Sequence, residues 1–136
     1  MAKYAAFGIS LNKGGTEYAQ VTNISGPGLS LDTEDVTSHD STGGWEEVVG
    51  TILRSGEITL DLEFDPANAT HKYAAGGLTY DLVQKTAIEF TLVFPDAATT
   101  TWTFNALVVG FEPAGPVGGA LTATAKFKLT GQPTLV

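Results

Sequence analysis

A strict alternation of apolar and polar residues is the feature that most constrains the fold of this chain. In the segment 56–64 every even position from Ile58 to Phe64 is apolar, and polar residues stand between them. Because successive side chains of a strand point to opposite faces, this period predicts β-strands with one buried face. The same period occurs in 86–94, 100–111 and 121–129, and weaker strands are expected at 4–11, 17–24 and 28–38.

Turn residues separate these segments, and one short helix is expected among them. Pro66 prevents the strand before it from continuing, and Asn68 or Thr70 is a suitable helix cap. The pattern therefore predicts a helix over 67–76, ended by glycines at 76 and 77. The predicted fold is mostly β, a β-sandwich or partly open barrel of about seven to eight strands in one domain, residues 1–136.

Composition limits the classes of function. Only 16% of the residues are charged, against about 25% in a typical soluble domain, so much uncharged surface is left for contact with a partner. Cysteine is absent, which excludes disulfides and thiolate metal sites. No apolar run reaches the roughly 18 residues of a membrane span, and no signal peptide is evident at the start. We therefore expect a soluble protein made in the cytoplasm.

The acidity of the chain is concentrated in one quarter of its length. The net charge is −8, and the segment 32–65 alone holds ten acidic residues against Arg54. A field of this sign repels nucleic-acid phosphates, so tight binding to DNA or RNA is not expected.

The segment 39–55 does not fit the strand pattern. It has no steady period, and it is longer than most unstructured loops of compact domains. It is also too apolar for a solvated linker, so we expect an extended hairpin or arm that buries its side chains on a neighbouring subunit. The alternative is an arm folded back on its own sheet. The residues expected to make the contact are His39, Trp45, Glu46, Glu47, Val48, Val49, Ile52, Leu53 and Arg54.

Three groups of residues have types that occur in active sites. The run 38–41 (Ser-His-Asp-Ser) contains the residues of a nucleophilic triad, but neighbours in an extended chain point to alternating sides. The two histidines, His39 and His71, lack the spacing of zinc ligands, and His71 is expected at the surface or in an interface. A row of carboxylates has spacing compatible with a glycosidase pair or a hard-cation site, and a solvated face or channel lining is the preferred reading. This row is Glu57, Asp61, Glu63 and Asp65.

The order of short motifs along the chain resembles that of a known family. The motifs are VTSHDS at 36–41, TGGWEE at 42–47, SGEITLDLEFDP at 55–66 with His71 after it, LVFPD at 92–96, TWTF at 101–104, PAGPVGGA at 113–120 and LTGQPTL at 129–135. In this order they resemble the major tail tube proteins of bacteriophages with long non-contractile tails (siphophages), and the resemblance covers about residues 3–135.

The resemblance implies a structural virion protein without enzymatic activity or cofactor. Subunits of this family form hexameric rings that stack into a tube around a tape-measure protein, and DNA passes through the lumen during ejection. It also implies partners at the tube ends, namely a tail terminator and tail-tip or baseplate proteins, and synthesis in the host bacterial cytoplasm. The family's long loop reaches the adjacent ring, and the matching segment here is 39–55.

Two expectations follow for this chain. Sheet edges would join subunits within a ring, and the acidic row from Glu57 to Asp65 would face the lumen and let DNA slide. A tube of a contractile tail or of a type VI secretion apparatus is a related alternative. A carbohydrate- or receptor-binding β-sandwich is the alternative from another class, and it requires several exposed aromatic residues on one face.

Overall fold

A computed structural model describes residues 3–135, and β-strands make up most of its regular structure. The strands are β1 Ser10–Lys13, β2 Thr16–Glu17, β3 Val21–Ser25, β4 Ser30–Asp35, β5 Val48–Arg54, β6 Glu57–Glu63, β7 Ile88–Val93, β8 Thr101–Ala114 and β9 Thr122–Thr134. One α-helix, α1, covers Leu78–Gln84, and one 3₁₀ turn covers Thr42–Gly44. The mostly-β prediction with one short helix is confirmed. No helix within 3–135 has the length and apolar character of a membrane span.

Seven strands form one antiparallel sheet in the order β2-β1-β7-β8-β9-β6-β3, and β4 pairs with β5 in a separate two-stranded sheet. The alternation found in the sequence sets which face is buried. In β6, for example, Ile58, Leu60 and Leu62 are buried and the residues between them are not. The buried face continues through Phe90 of β7 and Phe127 of β9. One face of one sheet therefore supplies nearly the whole core.

The sheet curls so that its buried face lines the interior of a barrel. The rings of Phe90 and Phe127 meet edge to face with centroids 5.1 Å apart, although β8 lies between their strands. The two edge strands, β2 and β3, are joined in the chain by residues 18–20 alone. Tyr18 in this link is buried and lies near both phenylalanine rings, at 6.3 and 6.1 Å. The result is a partly open barrel whose edges are held together by the 18–20 link.

The predicted helix over 67–76 is wrong, because local and tertiary hydrogen bonds hold this segment in turns. Asn68 Oδ1 accepts from both the amide and the hydroxyl of Thr70, as an Asx turn does. The Thr70 hydroxyl oxygen also accepts from the Ala19 amide at 3.2 Å. The helix begins only after Gly77, so the two glycines precede a helix instead of ending one.

Three weaker strand predictions were correct in type and wrong in extent. The segment 4–11 is mostly irregular, and β1 starts at Ser10. The segment 17–24 is split into β2 and β3 by the 18–20 link, where Gln20 has a φ of 61°. The segment 28–38 shortens to β4.

The segment 39–55 is not a free-standing loop. Its second half is β5, which pairs with β4, so the two strands and the loop 36–47 form a β-hairpin over residues 30–54. We call this hairpin the arm. The arm was expected to begin at residue 39, whereas its first strand, β4, begins at Ser30.

Candidate functional site

The arm stands away from the barrel with most of its side chains in solvent. Every residue of β5 is exposed, including Val48, Val49, Ile52 and Leu53. An isolated two-stranded hairpin is marginally stable in water, and one with this much exposed apolar surface is stabilised when a partner covers it. The alternative of an arm folded back on its own sheet does not agree with the exposure of β5.

Cross-strand register places apolar residues on both faces of the arm. Leu31 stands opposite Leu53 on one face, and Val49 stands opposite Glu34 on the other. A bulge between Leu31 and Thr33 shifts the register. On the face of Val49, Arg54 forms an ion pair with Asp32 at 2.8 Å. Neither face is wholly polar, so either face of the hairpin exposes apolar side chains when it is in contact with water.

The loop 36–47 at the end of the arm is ordered by its own hydrogen bonds. The amide of Glu47 donates to the Thr37 hydroxyl at 2.8 Å, and the Val36 amide donates to the carbonyl of Glu47 at 2.9 Å. The Ser41 hydroxyl donates to the Glu47 carboxylate at 3.0 Å. The Thr37 amide donates to Asp35 Oδ1 at 2.8 Å, and hydrogen bonding from Thr37 holds the pKa of that carboxyl below its ordinary value. Glu47 and Ser41 therefore shape the loop.

Trp45 is the most prominent side chain of this loop. Its side chain is 78% exposed, although tryptophan is usually well buried in a folded chain. It passes directly over Gly43, where a Cβ atom would lie 3.2 Å from the indole Cδ1. Gly43 has a φ of 64°, which favours glycine. The loop thus presents a large aromatic surface to solvent, together with the exposed His39 and Glu46.

Two glycines set the angle between the arm and the barrel. The ladder of β3 with β6 ends at Ser25 and Thr59, and that of β4 with β5 begins at Ser30 and Arg54. At this break Gly56 has a φ of 72°, and a Cβ on it would lie 2.4 Å from the carbonyl oxygen of Gly28. Gly26 is equally confined against the carbonyl of Glu57. The backbones approach so closely here that no other residue fits.

A largely apolar groove of about 640 Å³ lies between the base of the arm and the end of β9. Its walls include Leu29, Leu31 and Leu53 from the arm side, and Pro133 and Leu135 from the β9 side. The groove lacks a cluster of titratable side chains, since Arg54 is the one charged residue in its lining. Its chemistry is that of a contact surface.

The predicted acidic row lies on the outer face of β6 and just beyond it. Glu57 stands opposite Lys128 and Glu63 opposite Thr122. Asp61 accepts hydrogen bonds from Thr124 at 3.0 Å and from Asn23 at 3.4 Å. Asp65 follows the strand, where its carboxylate accepts from the Ala67 amide. Thr59, between the acids, stands opposite Lys126. The row is therefore a mixed polar face, and β9 brings two lysines beside its carboxylates.

The candidate catalytic groupings do not assemble. Ser38 and Ser41 form a tight turn in which the Ser41 hydroxyl bonds Glu47. Among residues 3–135, no three His, Cys, Asp or Glu side chains are grouped closely enough to hold a metal ion.

The expectation that His71 lies at the surface is wrong, because its side chain is fully buried. Nδ1 accepts from the Asp65 amide at 3.1 Å, and Nε2 lies 2.7 Å from the Ala19 carbonyl oxygen. With Nδ1 as acceptor, Nε2 carries the proton and donates. His71 thus links the loop after β6 to the barrel closure, a role that its position in a turn segment did not reveal.

Comparison with known protein families gives one match over nearly the whole chain. Residues 9–135 match the family model described as phage tail tube protein. A search of curated protein sequences found no significant match.

Solved structures share the fold at low sequence identity. A chain of the virion of a native gene transfer agent particle is 18% identical with a TM-score of 0.76, covering 98% of this chain and 99% of that one. A chain of the tail of an empty gene transfer agent particle with C6 symmetry is 20% identical with a TM-score of 0.70, covering 94% and 93%. A sheath-tube complex of an extracellular contractile injection system contributes a chain at 14% identity and a TM-score of 0.71, covering 98% and 93%.

Proposed function

Because the chain belongs to the phage tail tube protein family, we propose that it is the major tail tube subunit and that six copies close each ring of the tube. The chain is a structural component of the virion tail, not an enzyme. Six-fold closure is supported by the C6 symmetry of the gene transfer agent tail with which it shares its fold. The single observation that carries the proposal is the family match over residues 9–135.

The arm supplies the contact between stacked rings. Burial of an apolar side chain is worth about 1.5–3 kcal/mol, and the arm offers Leu53 at 80% exposure, Trp45 at 78% and Ile52 at 55%. A hexameric ring repeats each of these contacts six times, so a modest contact per subunit gives a strong ring-to-ring interaction. The contacting residues are those predicted from the sequence, from His39 to Arg54.

Within a ring, we propose that subunits join through unpaired strand edges. A strand edge presents free backbone donors and acceptors, and pairing with a neighbour satisfies them. The edge strands of the barrel, β2 and β3, are short and lie beside the 18–20 link, whereas β4 and β5 carry free edges along the arm. A heterologous contact of this kind closes into a ring when the rotation between copies divides a full turn.

The outer face of β6 and β9 is the proposed lining of the lumen. Its carboxylates at Glu57, Asp61, Glu63 and Asp65 would repel DNA phosphates and keep the DNA from adhering to the wall. Lys126 and Lys128 on the adjacent strand moderate this field without reversing it. Replacing Asp61 and Glu63 with lysine should leave the tubes intact and slow DNA passage; ejection at an unchanged rate would contradict the lumen assignment.

We propose a tail of the non-contractile type, on the basis of the motif order between residues 36 and 135. Structural likeness extends to both the SPP1 tail tube, at 11% identity and a TM-score of 0.55, and the contractile injection system. Purified virions should therefore contain this subunit without a stoichiometric sheath protein. A sheath present at one copy per subunit would assign the tail to the contractile type.

The proposed partners are a tape-measure protein in the lumen, a terminator at one end of the tube, and tail-tip or baseplate proteins at the other. Chains from the sheath/tube terminator of an injection system, and from the cap and the baseplate of the anti-feeding prophage, share the fold. Subunits of this shape are thus compatible with positions at both ends of such assemblies.

Negative-stain electron microscopy of the purified protein at increasing concentration tests the proposed function. Rings followed by tubes are expected, with six-fold class averages in end views. A protein that stays monomeric at every concentration would contradict the proposal.

A further inference from the structure

The arm and the loop after β6 lie at opposite ends of the barrel. β6 leaves the arm at Gly56 and reaches the loop 65–77 at Phe64, so its seven residues separate the two. At about 3.3 Å per residue this strand spans roughly 23 Å. Subunits stacked with one polarity therefore place the arm of one copy against the 65–77 end of the next.

The two ends carry opposite charge. Residues 30–54 hold six acids and Arg54, and the part between Glu34 and Val49 holds five carboxylates with no lysine or arginine. At the other end, residues 66–88 contain Lys72, Lys85 and one acid. That acid, Asp81, is buried and bonded to Lys13 at 2.6 Å. Lys72 and Lys85 are exposed and form no ion pair within residues 3–135.

The lysines flank an exposed aromatic surface. Tyr73 is 63% exposed, and its ring meets that of Tyr80 edge to face with centroids 5.9 Å apart. Val83, one turn further along α1 and 52% exposed, extends the same apolar surface. Hydrogen bonds from the Leu78 amide to Thr70 and from the Thr79 hydroxyl to His71 fix α1 on the loop. We call Lys72, Tyr73, Tyr80, Val83 and Lys85 the helix-end patch.

We propose that the helix-end patch of one subunit is the docking surface for the arm of a second copy in the neighbouring ring. This rests on the proposed stacking function and names the partner surface for it. Lys72 and Lys85 pair with the carboxylates between Glu34 and Val49, and Trp45 packs against Tyr73 and Tyr80. Aromatic residues are enriched at the centre of interfaces, and complementary charges around them fix the orientation of the partners.

Charge reversal tests the pairing. Lys72→Glu with Lys85→Glu should raise the protein concentration at which tubes appear by about tenfold or more, because complementary pairs become repulsive. Asp40→Lys with Glu46→Lys should do the same, since neither side chain takes part in the hydrogen bonds that shape the loop. The combination of all four changes should restore tubes. Lys3→Glu, a single reversal at an exposed position before β1 and outside the patch, should leave the threshold within about twofold.

Crosslinking tests proximity directly, since the chain has no cysteine of its own. A subunit with Thr42→Cys and Ala75→Cys should give ladders of linked copies with a short bismaleimide reagent. Thr42→Cys with Ala98→Cys is the control, because β7 separates the turn that contains Ala98 from the α1 end.

The outcomes separate this inference from the proposed function. If the wild type forms tubes and the patch variants form them at the same protein concentration, the helix-end docking is overturned and the tube assignment stands. Crosslinked ladders that appear only with Ala98→Cys would have the same meaning. Wild-type protein that forms no tube would overturn the function itself.

Discussion

The imidazole Nε2 of His71 donates a hydrogen bond to the carbonyl oxygen of Ala19 at 2.7 Å, which ties the turn after β6 to the link that closes the barrel. Nδ1 of the same ring accepts from the Asp65 amide. One buried side chain therefore satisfies two backbone groups in two distant segments. The backbone carbonyl of His71 also accepts a hydrogen bond from the Thr79 hydroxyl at the start of α1.

His71→Ala should lower the free energy of unfolding by about 2–4 kcal/mol, since it leaves a cavity and two buried backbone groups without partners. Urea denaturation of the soluble subunit measures this. Lys72→Ala, at the next and exposed position, should stay within about 0.5 kcal/mol. If the free energy of unfolding falls by less than about 0.5 kcal/mol in His71→Ala, the two hydrogen bonds contribute little.

Tyr18→Phe should leave stability unchanged or raise it by up to about 1 kcal/mol. The hydroxyl of Tyr18 is buried and has no hydrogen-bond partner within residues 3–135. Burial, with a smaller contribution from the nearby charge of Asp81, raises the pKa of this phenol far above its ordinary value. Removing an unpaired buried hydroxyl removes its desolvation cost and keeps the ring. A marked loss of stability by thermal unfolding would indicate a hidden partner for the hydroxyl.

Acid should loosen the loop of the arm. Hydrogen bonds from Thr37 lower the pKa of Asp35 below its ordinary value of 3.8. A carboxyl with a lowered folded-state pKa contributes stability above its unfolded pKa and loses that contribution as the pH falls through the folded value. The amide proton of Thr37 should therefore become less protected as the pH drops below about 3.8.

NMR titration of the Thr37 amide checks this, with Asp35→Asn as the control. The variant cannot ionise at residue 35, so its Thr37 amide should lack the transition seen in the wild type. The same transition in both proteins would assign the effect to another group.

Gly56→Ala should destabilise the base of the arm by about 1–3 kcal/mol, because the new Cβ would sit 2.4 Å from the Gly28 carbonyl oxygen at a φ of 72°. Gly118→Ala is the matched control, since a Cβ there meets nothing within 4 Å. Urea denaturation, with hydrogen exchange of the β4 and β5 amides, distinguishes the two. Equal stability of the two variants would show that the close approach of Gly56 to Gly28 does not constrain the base of the arm.

The sequence predicted the strands whose burial follows a single period. In β6, and in β9 from Ala123 to Leu129, every second residue packs inward, so local pattern and tertiary environment agree. The helix over 67–76 failed because an Asx turn at Asn68, together with tertiary hydrogen bonds of Thr70 and His71 to Ala19, holds the segment in turns.

The arm was predicted as an assembly element from its length and apolar content, and every residue of its strand β5 is exposed in the single subunit. Its pairing with β4 was missed because the bulge in β5 between Gly50 and Leu53 breaks the period that would have shown the hairpin. The helix-end patch had no sequence signal, since Tyr73 and Tyr80 come together only through the turn before α1.

Electron microscopy of a variant lacking residues 43–49, beside the wild type at equal concentration, tests most directly whether the arm stacks the rings. The deletion removes Trp45 and leaves the barrel core untouched. Circular dichroism should confirm that the variant is folded. We expect tubes from the wild type and isolated rings or monomers from the variant. Tubes of equal length in both would contradict a stacking role for the arm.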